Sequence, residues 1–323
     1  MHQVLSTIRD FLAEIGGHVA PEATIEEDRD HVAPADPRAS SAEFYEIPAN
    51  PSRRLSLQLF QTGLSRTYLI GQLSDGPDIR PVHYATVACA ILKRDDRQLA
   101  PFLRPLKADL VLVDLSNLDE GDVIERYNGE IEIIDTKPTS SSYMDRRLAA
   151  ITHAAMVKRE MQEEGLLACS DHREPGILIG IDGPLSNIHG AAGMPGVIGI
   201  VPAEPEVLGP GNAVLGCPFM ARSALDSTKS PPAFYLRLRD PAGRNPDFGL
   251  MRVELGLTAD GGKPDETWAS DVASILFKER LPVDTHSRGW DKSIFALQHA
   301  GRYIDTLIPP PRVVTTYFGR STS

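Results

Sequence analysis

The sequence holds little cysteine and no long apolar run. Its three cysteines, Cys89, Cys169 and Cys217, are widely spaced over 323 residues and form no C-x-x-C pair. That excludes a disulfide framework and a cysteine zinc site, and the apolar flanks of all three predict buried thiols. No apolar stretch approaches the roughly 20 residues that a membrane helix needs, so no membrane segment is expected. The opening residues, MHQVLSTIRDFLAEIGG, lack the basic and apolar regions of a secretory signal, which predicts a cytoplasmic chain. A G-x-S-x-G elbow is missing, and no serine–histidine pair points to an α/β hydrolase. The glycines of GPGNAVLG (209–216) lack the Lys-Ser/Thr that completes a phosphate-binding loop. Neither an internal repeat nor a low-complexity tract is present.

What is there fits an ordinary globular protein with a sizeable core: 41% hydrophobic and 24% charged residues. The net charge of −11 argues against a chain that coats nucleic acid by charge alone, because phosphate contacts need Lys and Arg. It leaves room for a nuclease with a local basic channel, whose acidic exterior limits non-specific sticking and leaves capture of DNA to a partner.

Helical spacing of Val4, Ile8, Phe11, Leu12 and Ile15 predicts a helix within residues 1–17, stopped by Gly16-Gly17 and docked on the main body or on another subunit. Residues 18–41 turn polar and proline-rich and read as a linker. The body follows, over 42–323. Strands are predicted at 54–63, 66–73 and 82–95, as an antiparallel meander, with further strands at 108–115 and 129–137. In this reading LFQTGLSRTYLIG (59–71) is the end of one strand and the start of the next. The longest helix is predicted over 141–169, with Ala150, Ala154, Val157, Met161 and Ala168 on one face. Continuous apolar runs at 176–183 and 196–202 read as central strands covered on both faces. A hairpin-like pair (233–241, 248–257) and two closing helices (268–282, 291–307) complete the chain. Three meandering strands, a long helix and a central strand ending in Asp-Gly predict an α/β fold with a ribonuclease-H-like, PIWI-like mixed sheet flanked by helices. Carboxylates at the ends of the first and fourth strands of such a layout, with one from a helix, converge on two Mg²⁺ or Mn²⁺ ions for phosphodiester hydrolysis.

Asp182, in ILIGIDGPLS, is the sharpest single residue. A carboxylate at the end of an apolar strand must be paired or bind metal, or else cap the following turn as an Asx residue. Glu160 and Glu164 flank the expected stripe of the long helix and are the candidates for a helix ligand; Glu163 points more outward. Asp114, Glu120, Asp122 and Asp135 read as surface acids. His299 shares a helix face with Phe295 and is a candidate for contacting a metal or a scissile phosphate, or a core histidine. Arg146-Arg147, Lys158-Arg159, Arg237, Arg239 and Arg252 are candidate phosphate contacts, with Arg237 and Arg239 on one face of a strand.

The order of IGIDGPLS, YLRLRDP, FGLMRVEL and SIFALQHAGRYI, with TGLSRTYLIG and PVHYATVACAILKRD ahead of them, resembles the NurA nuclease family over roughly residues 50–310. The resemblance implies a homodimer seated on a HerA-type hexameric DNA-translocating ATPase, with DNA as substrate in end resection or phage defence, and Mn²⁺ or Mg²⁺ as cofactor. It maps Asp182 to the central-strand metal ligand, Glu160 or Glu164 to the helix ligand and His299 to the histidine of the last helix. Three positions depart from the family pattern. Thr62 stands where the first strand normally carries an Asp ligand, Phe295 replaces a Tyr, and Pro202 takes the place of a Lys. A neutral hydroxyl cannot supply the anionic oxygen of a two-metal site. Two outcomes follow: a weakened metal-dependent deoxyribonuclease, with a substitute acid such as Asp114, or an inert adaptor that keeps the fold for assembly and ATPase regulation.

Overall fold

The computed structural model describes residues 2–26, 43–75, 78–96, 98–116, 125–127, 131–203, 208, 212–281 and 290–319. Twelve strands form one mixed sheet flanked by helices. The strands are β1 (His18–Glu26), β2 (Phe44–Glu46), β3 (Ser56–Asp75), β4 (Asp78–Asp95), β5 (Gln98–Pro101), β6 (Leu106–Val113), β7 (Glu132–Asp135), β8 (Ile177–Asp182), β9 (Val197–Pro202), β10 (Ala221–Ser223), β11 (Ala233–Arg237) and β12 (Leu250–Leu255). The α-helices are α1 (His2–Glu14), α2 (Tyr143–Ser170), α3 (Glu266–Lys278), α4 (Phe295–Asp305) and α5 (Pro311–Gly319).

The order across the sheet is β2-β10-β11-β12-β9-β8-β3-β4-β6-β7. In its middle, β3, β4 and β6 are an antiparallel meander, while β8 lies parallel beside β3 and β9 parallel beside β8. Helix α2 makes the crossover from the meander to β8 and covers one face through Ala150, Ala154, Leu166 and Cys169. Helices α3 and α4 cover the other face, where Trp268, Val272, Leu276 and Leu297 pack on Phe60, Leu178, Ile198 and Phe234.

The strand expected to end near Gly63 does not end there. β3 runs unbroken through Thr62-Gly63-Leu64-Ser65, each paired with β4, with a bulge at Ile70. Gly63 serves a close approach, not a turn: a Cβ on it would lie 2.9 Å from Cδ of Gln162 on α2. Strand β8 is much shorter and pairs β3 over Ser56–Gln61, while β1 takes the far part of the same edge at Thr67–Gln72. His18–Glu26 is therefore strand, correcting the linker expected over 18–41; residues 27–41 of that linker lie outside the described residues. Covering the far edge of β3 removes a row of open backbone donors and acceptors. It also brings α1 into the main core, where Leu5, Ile8, Phe11 and Leu12 pack with Tyr68, Ile70, Tyr84, Val314 and Phe318. Between β8 and β1, residues 62–66 of β3 have no strand partner on this edge among the described residues.

No helix among the described residues is long and apolar enough to cross a membrane.

Candidate functional site

The gap in the β3 edge is where Asp182 sits. Gln61 is in register with Ile181, so the next residues of the two parallel strands, Thr62 and Asp182, fall side by side. The Thr62 hydroxyl donates to Oδ2 of Asp182 at 3.3 Å. Thr62 is buried, whereas Asp182 ends its strand exposed. After Asp182 the chain turns away through Gly183 at φ 120°, a conformation that favours glycine. The turn is anchored from below: Gly183 N–H donates to Ile200 O, and Leu185 N–H to the buried Glu254 carboxylate at 2.7 Å. Nothing in the sequence reading pointed to Glu254, because its strand, LMRVEL, gave no sign that a carboxylate caps a neighbouring loop.

Helix α2 forms the other wall, and the residues it turns inward are Lys158, Arg159 and Gln162. With Gly63, Asn187 and Asp182 they line a narrow cleft. Gln162 lies across Gly63, and its carbonyl accepts the Gln61 side-chain amide at 2.7 Å. Lys158 and Gln162 are buried. Glu160 and Glu164, the expected helix ligands, lie on the exposed face of α2, and Glu163 is half-buried; none lines the cleft. The physical reason is the phase of the helix. The buried stripe runs through Ala150, Ala154, Lys158, Gln162, Leu166 and Cys169, while Val157 and Met161 are only half-buried and Ala168 is exposed. Four further apolar residues, Met144, Leu148, Met156 and Leu167, are exposed, and the inner face instead carries Lys158 and Gln162 among its alanines.

The remaining candidates are placed elsewhere. His299 is exposed, its ring 4.3 Å from that of Phe295, and does not line the cleft. Pro202 ends β9. Asp114 is buried against Arg146, whose Nε donates to it at 2.7 Å, while the Arg146 Nη atoms clasp Asp78 at 2.5 and 2.8 Å. By strand register Asp114 is level with Pro81 and Gln72, ten residues beyond Thr62, or about 33 Å along β3. It cannot substitute for the missing acid. Asp135 accepts the Lys137 N–H of its own turn and the Leu115 N–H of the chain that follows β6. Glu120 and Asp122 lie outside the described residues.

Of the arginines expected on phosphate, Arg237 is fully buried and spends its guanidinium on four backbone carbonyls, those of Leu215, Cys217, Pro246 and Phe248. Arg252 pairs with Glu254. Arg146 is the clasp just described, and Arg147 lies over the Tyr143 ring. Arg239 lies on the ring of Trp290, 5.0 Å from its centre.

The donor set of the cleft is one carboxylate, one hydroxyl, two amide side chains, an ammonium and a guanidinium. Two divalent cations need several anionic oxygens between them. Lys158 and Arg159 add two positive charges to the same lining, which disfavours a pair of divalent cations beside a single carboxylate. These residues do not fit a pair of Mn²⁺ or Mg²⁺ ions, and no three His, Cys, Asp or Glu side chains gather to hold a metal among the described residues.

No protein-family model matches the chain, and no curated protein matches it.

Proposed function

We propose that the chain is a NurA-like, ribonuclease-H-like protein that has kept the scaffold and lost the hydrolytic centre. It acts as a homodimeric adaptor on a HerA-type hexameric ATPase, engaging DNA at its ends without cutting it. Two observations support the scaffold half of this reading. The strand order β6-β4-β3-β8-β9, with three antiparallel strands and two more parallel to the first, is the order expected of such a scaffold and supports that reading. Thr62 and Asp182 also occupy the two adjacent strand positions where that layout carries paired acids.

The observation that carries the inert half is the pairing itself. A neutral hydroxyl bonds the one carboxylate, and Lys158 and Arg159 line the same cleft in place of metal. A bridging anionic oxygen is missing from the first strand, and the helix presents cations where a second acid would be required. Asp182 is then a structural residue at a strand end.

The test mixes the purified chain with the HerA-type ATPase of the same organism and linear DNA. Association with the hexamer and a changed ATPase rate are expected, with no Mn²⁺-dependent DNA loss and no difference between wild type and Asp182→Ala. Cleavage that Asp182→Ala abolishes would restore the nuclease reading, and failure to associate would remove the adaptor one.

A further inference from the structure

A second cluster lies beyond the C-terminal end of β9, built by the β11–β12 connection and the chain around α3 and α4. The Arg239 guanidinium lies over Trp290, and the Trp290 ring meets Phe248 nearly edge to face, their centres 5.9 Å apart. Arg244 stands over the other partner of that pair, 5.4 Å from the Phe248 ring centre. Arg280 stacks on Phe277 at 4.0 Å. Burial and the nearby charge of Arg280 hold Arg239 below the usual arginine range, against the pull of Asp291.

Among the described residues the cluster is short of counter-charge. Nε and Nη2 of Arg239 are shielded from water and donate to no group among the described residues. The described carboxylates nearest in the chain are engaged: Asp291 accepts the Gly249 N–H at 2.7 Å, Asp247 holds Lys292, Asp240 accepts the Ala242 N–H at 3.0 Å, and Glu279 pairs with Arg94. Arg280 donates to the Phe277 carbonyl, not to an acid. Arg244 is exposed and the other five residues are half-buried, so the surface is reachable at Arg244 and at the outer parts of the others, though not at Nε and Nη2 of Arg239. Three arginines interleaved with three rings therefore form a local cationic, aromatic island on a chain of net charge −11. Unpaired like charges held together by packing cost free energy that an incoming anion repays.

The island lies at the same end of the sheet as the cleft. Asp182 is opposite Ile200, and Ile200 opposite Val253, four residues from Gly249. Two strand spacings and four residues of rise place the two about 16 Å apart, the reach of a few nucleotides.

We propose that Arg239, Arg244 and Arg280 bind the phosphates of single-stranded DNA while the rings of Phe248, Trp290 and Phe277 stack on its bases. This rests on the DNA-engaging reading above and names the surface that does it. Arginine on phosphate with aromatic faces for unpaired bases is the chemistry of sequence-tolerant single-strand binding. Bases within a duplex are stacked on each other and leave those rings unused.

The probe is a thymidine oligonucleotide of about 20 nucleotides, with a uridine oligonucleotide and a duplex as comparison arms. Of the two tryptophans, Trp268 is buried, so quenching of fluorescence reads Trp290. Anisotropy of a labelled strand gives a second readout. Quenching by the thymidine strand is expected, with weaker binding of the duplex. Three phosphate contacts at about 0.7 each give a salt slope of about −2, reduced by about 0.7 in Arg244→Gln. The Arg239→Gln/Arg280→Gln double variant should bind at least tenfold more weakly. Arg244 is exposed, so its variant keeps the test alive if the double variant unfolds. Absence of binding by wild type at about 50 mM salt overturns the proposal, as does Arg244→Gln binding with unchanged affinity and slope; tighter binding of the uridine strand overturns the assignment to DNA. If wild type binds and the variants bind equally, the surface is wrong while the DNA-engaging reading survives; association with the hexamer is judged separately.

Discussion

Thr62 and Asp182 face each other across two parallel strands, hydroxyl to carboxylate at 3.3 Å, at the point where the β3 edge is open. The contact is long and Asp182 is exposed, so Thr62→Val should cost only about 1 kcal/mol. Thr62→Asp is more informative. Two carboxylates at this spacing repel, and one of them is pushed towards holding a proton. In chelator the variant should melt below wild type, and Mn²⁺ should raise its melting temperature. Saturation at 100 times the dissociation constant corresponds to about 2.7 kcal/mol. Wild type should not respond to Mn²⁺. An equal rise in both proteins would show that the hydroxyl does not govern metal affinity.

Arg146 ties the start of α2 to the far end of the meander. Its side chain and that of Asp114 are almost fully buried, and removing one partner leaves the other as an uncompensated charge. Arg146→Ala should cost about 3–5 kcal/mol by urea unfolding. The acid side of the stability curve should change as well. Arg146 holds the Asp78 carboxyl below the usual carboxylate range. Burial raises that of Asp114, but the Ser116 hydroxyl and N–H, with Arg146, outweigh it and lower it too. Both groups bind protons more readily unfolded than folded. Their contribution is therefore present above the unfolded value near 4 and lost as pH falls below it. The wild-type melting temperature should drop more steeply than the variant's between pH 5 and pH 3.

The main elements of this fold are readable from periodicity, and the long strand that carries Thr62 is misread as two. Gly63 beside Ser65 looks like a turn, yet the chain stays extended because the glycine makes room for Gln162. Local sequence does not distinguish a glycine that bends the backbone from one that admits a neighbour; only the packed helix decides. Helix α2 is legible only in part. The expected stripe holds at Ala150, Ala154, Val157 and Met161 and fails at Ala168, which is exposed; what periodicity could not show is that the inner face also carries Lys158 and Gln162, while Glu160 and Glu164 lie outside it. Asp182 stands out because a carboxylate ending an apolar strand is conspicuous in any fold, and Thr62 because it falls at the matching strand position. The strands β1, β2, β5 and β10 escape the sequence reading: three are only three or four residues long, and β1 contains a proline.

The three thiols give a direct measure of burial. Desolvation raises Cys89 to about 12 and Cys169 and Cys217 to about 11. The thiolate is the reactive form, so at pH 8 the folded protein should react with a thiol reagent only as fast as it opens. About three equivalents should react promptly in urea. Rapid labelling of any thiol in the native protein would mean that its segment is not packed as described here.

Arg237 decides between two roles for a buried cation. Its four carbonyl acceptors come from two separate segments, around 215–217 and 246–248, and the guanidinium fork is what joins them. Lysine offers a compact charge with no fork, so Arg237→Lys should rescue little. Arg237→Met leaves four carbonyls without their donor and should cost at least about 3 kcal/mol, given about 1.5–3 for each bond to a charged group and strong non-additivity. Because the Arg237 Nε bonds the Cys217 carbonyl, the same variant should expose that thiol to labelling under native conditions, ahead of Cys89 and Cys169. If Arg237 instead served a phosphate, Arg237→Met would weaken oligonucleotide binding with the urea midpoint unchanged. The burial of the whole side chain predicts the reverse: a lowered midpoint, selective labelling of Cys217, and unchanged binding by the fraction that stays folded.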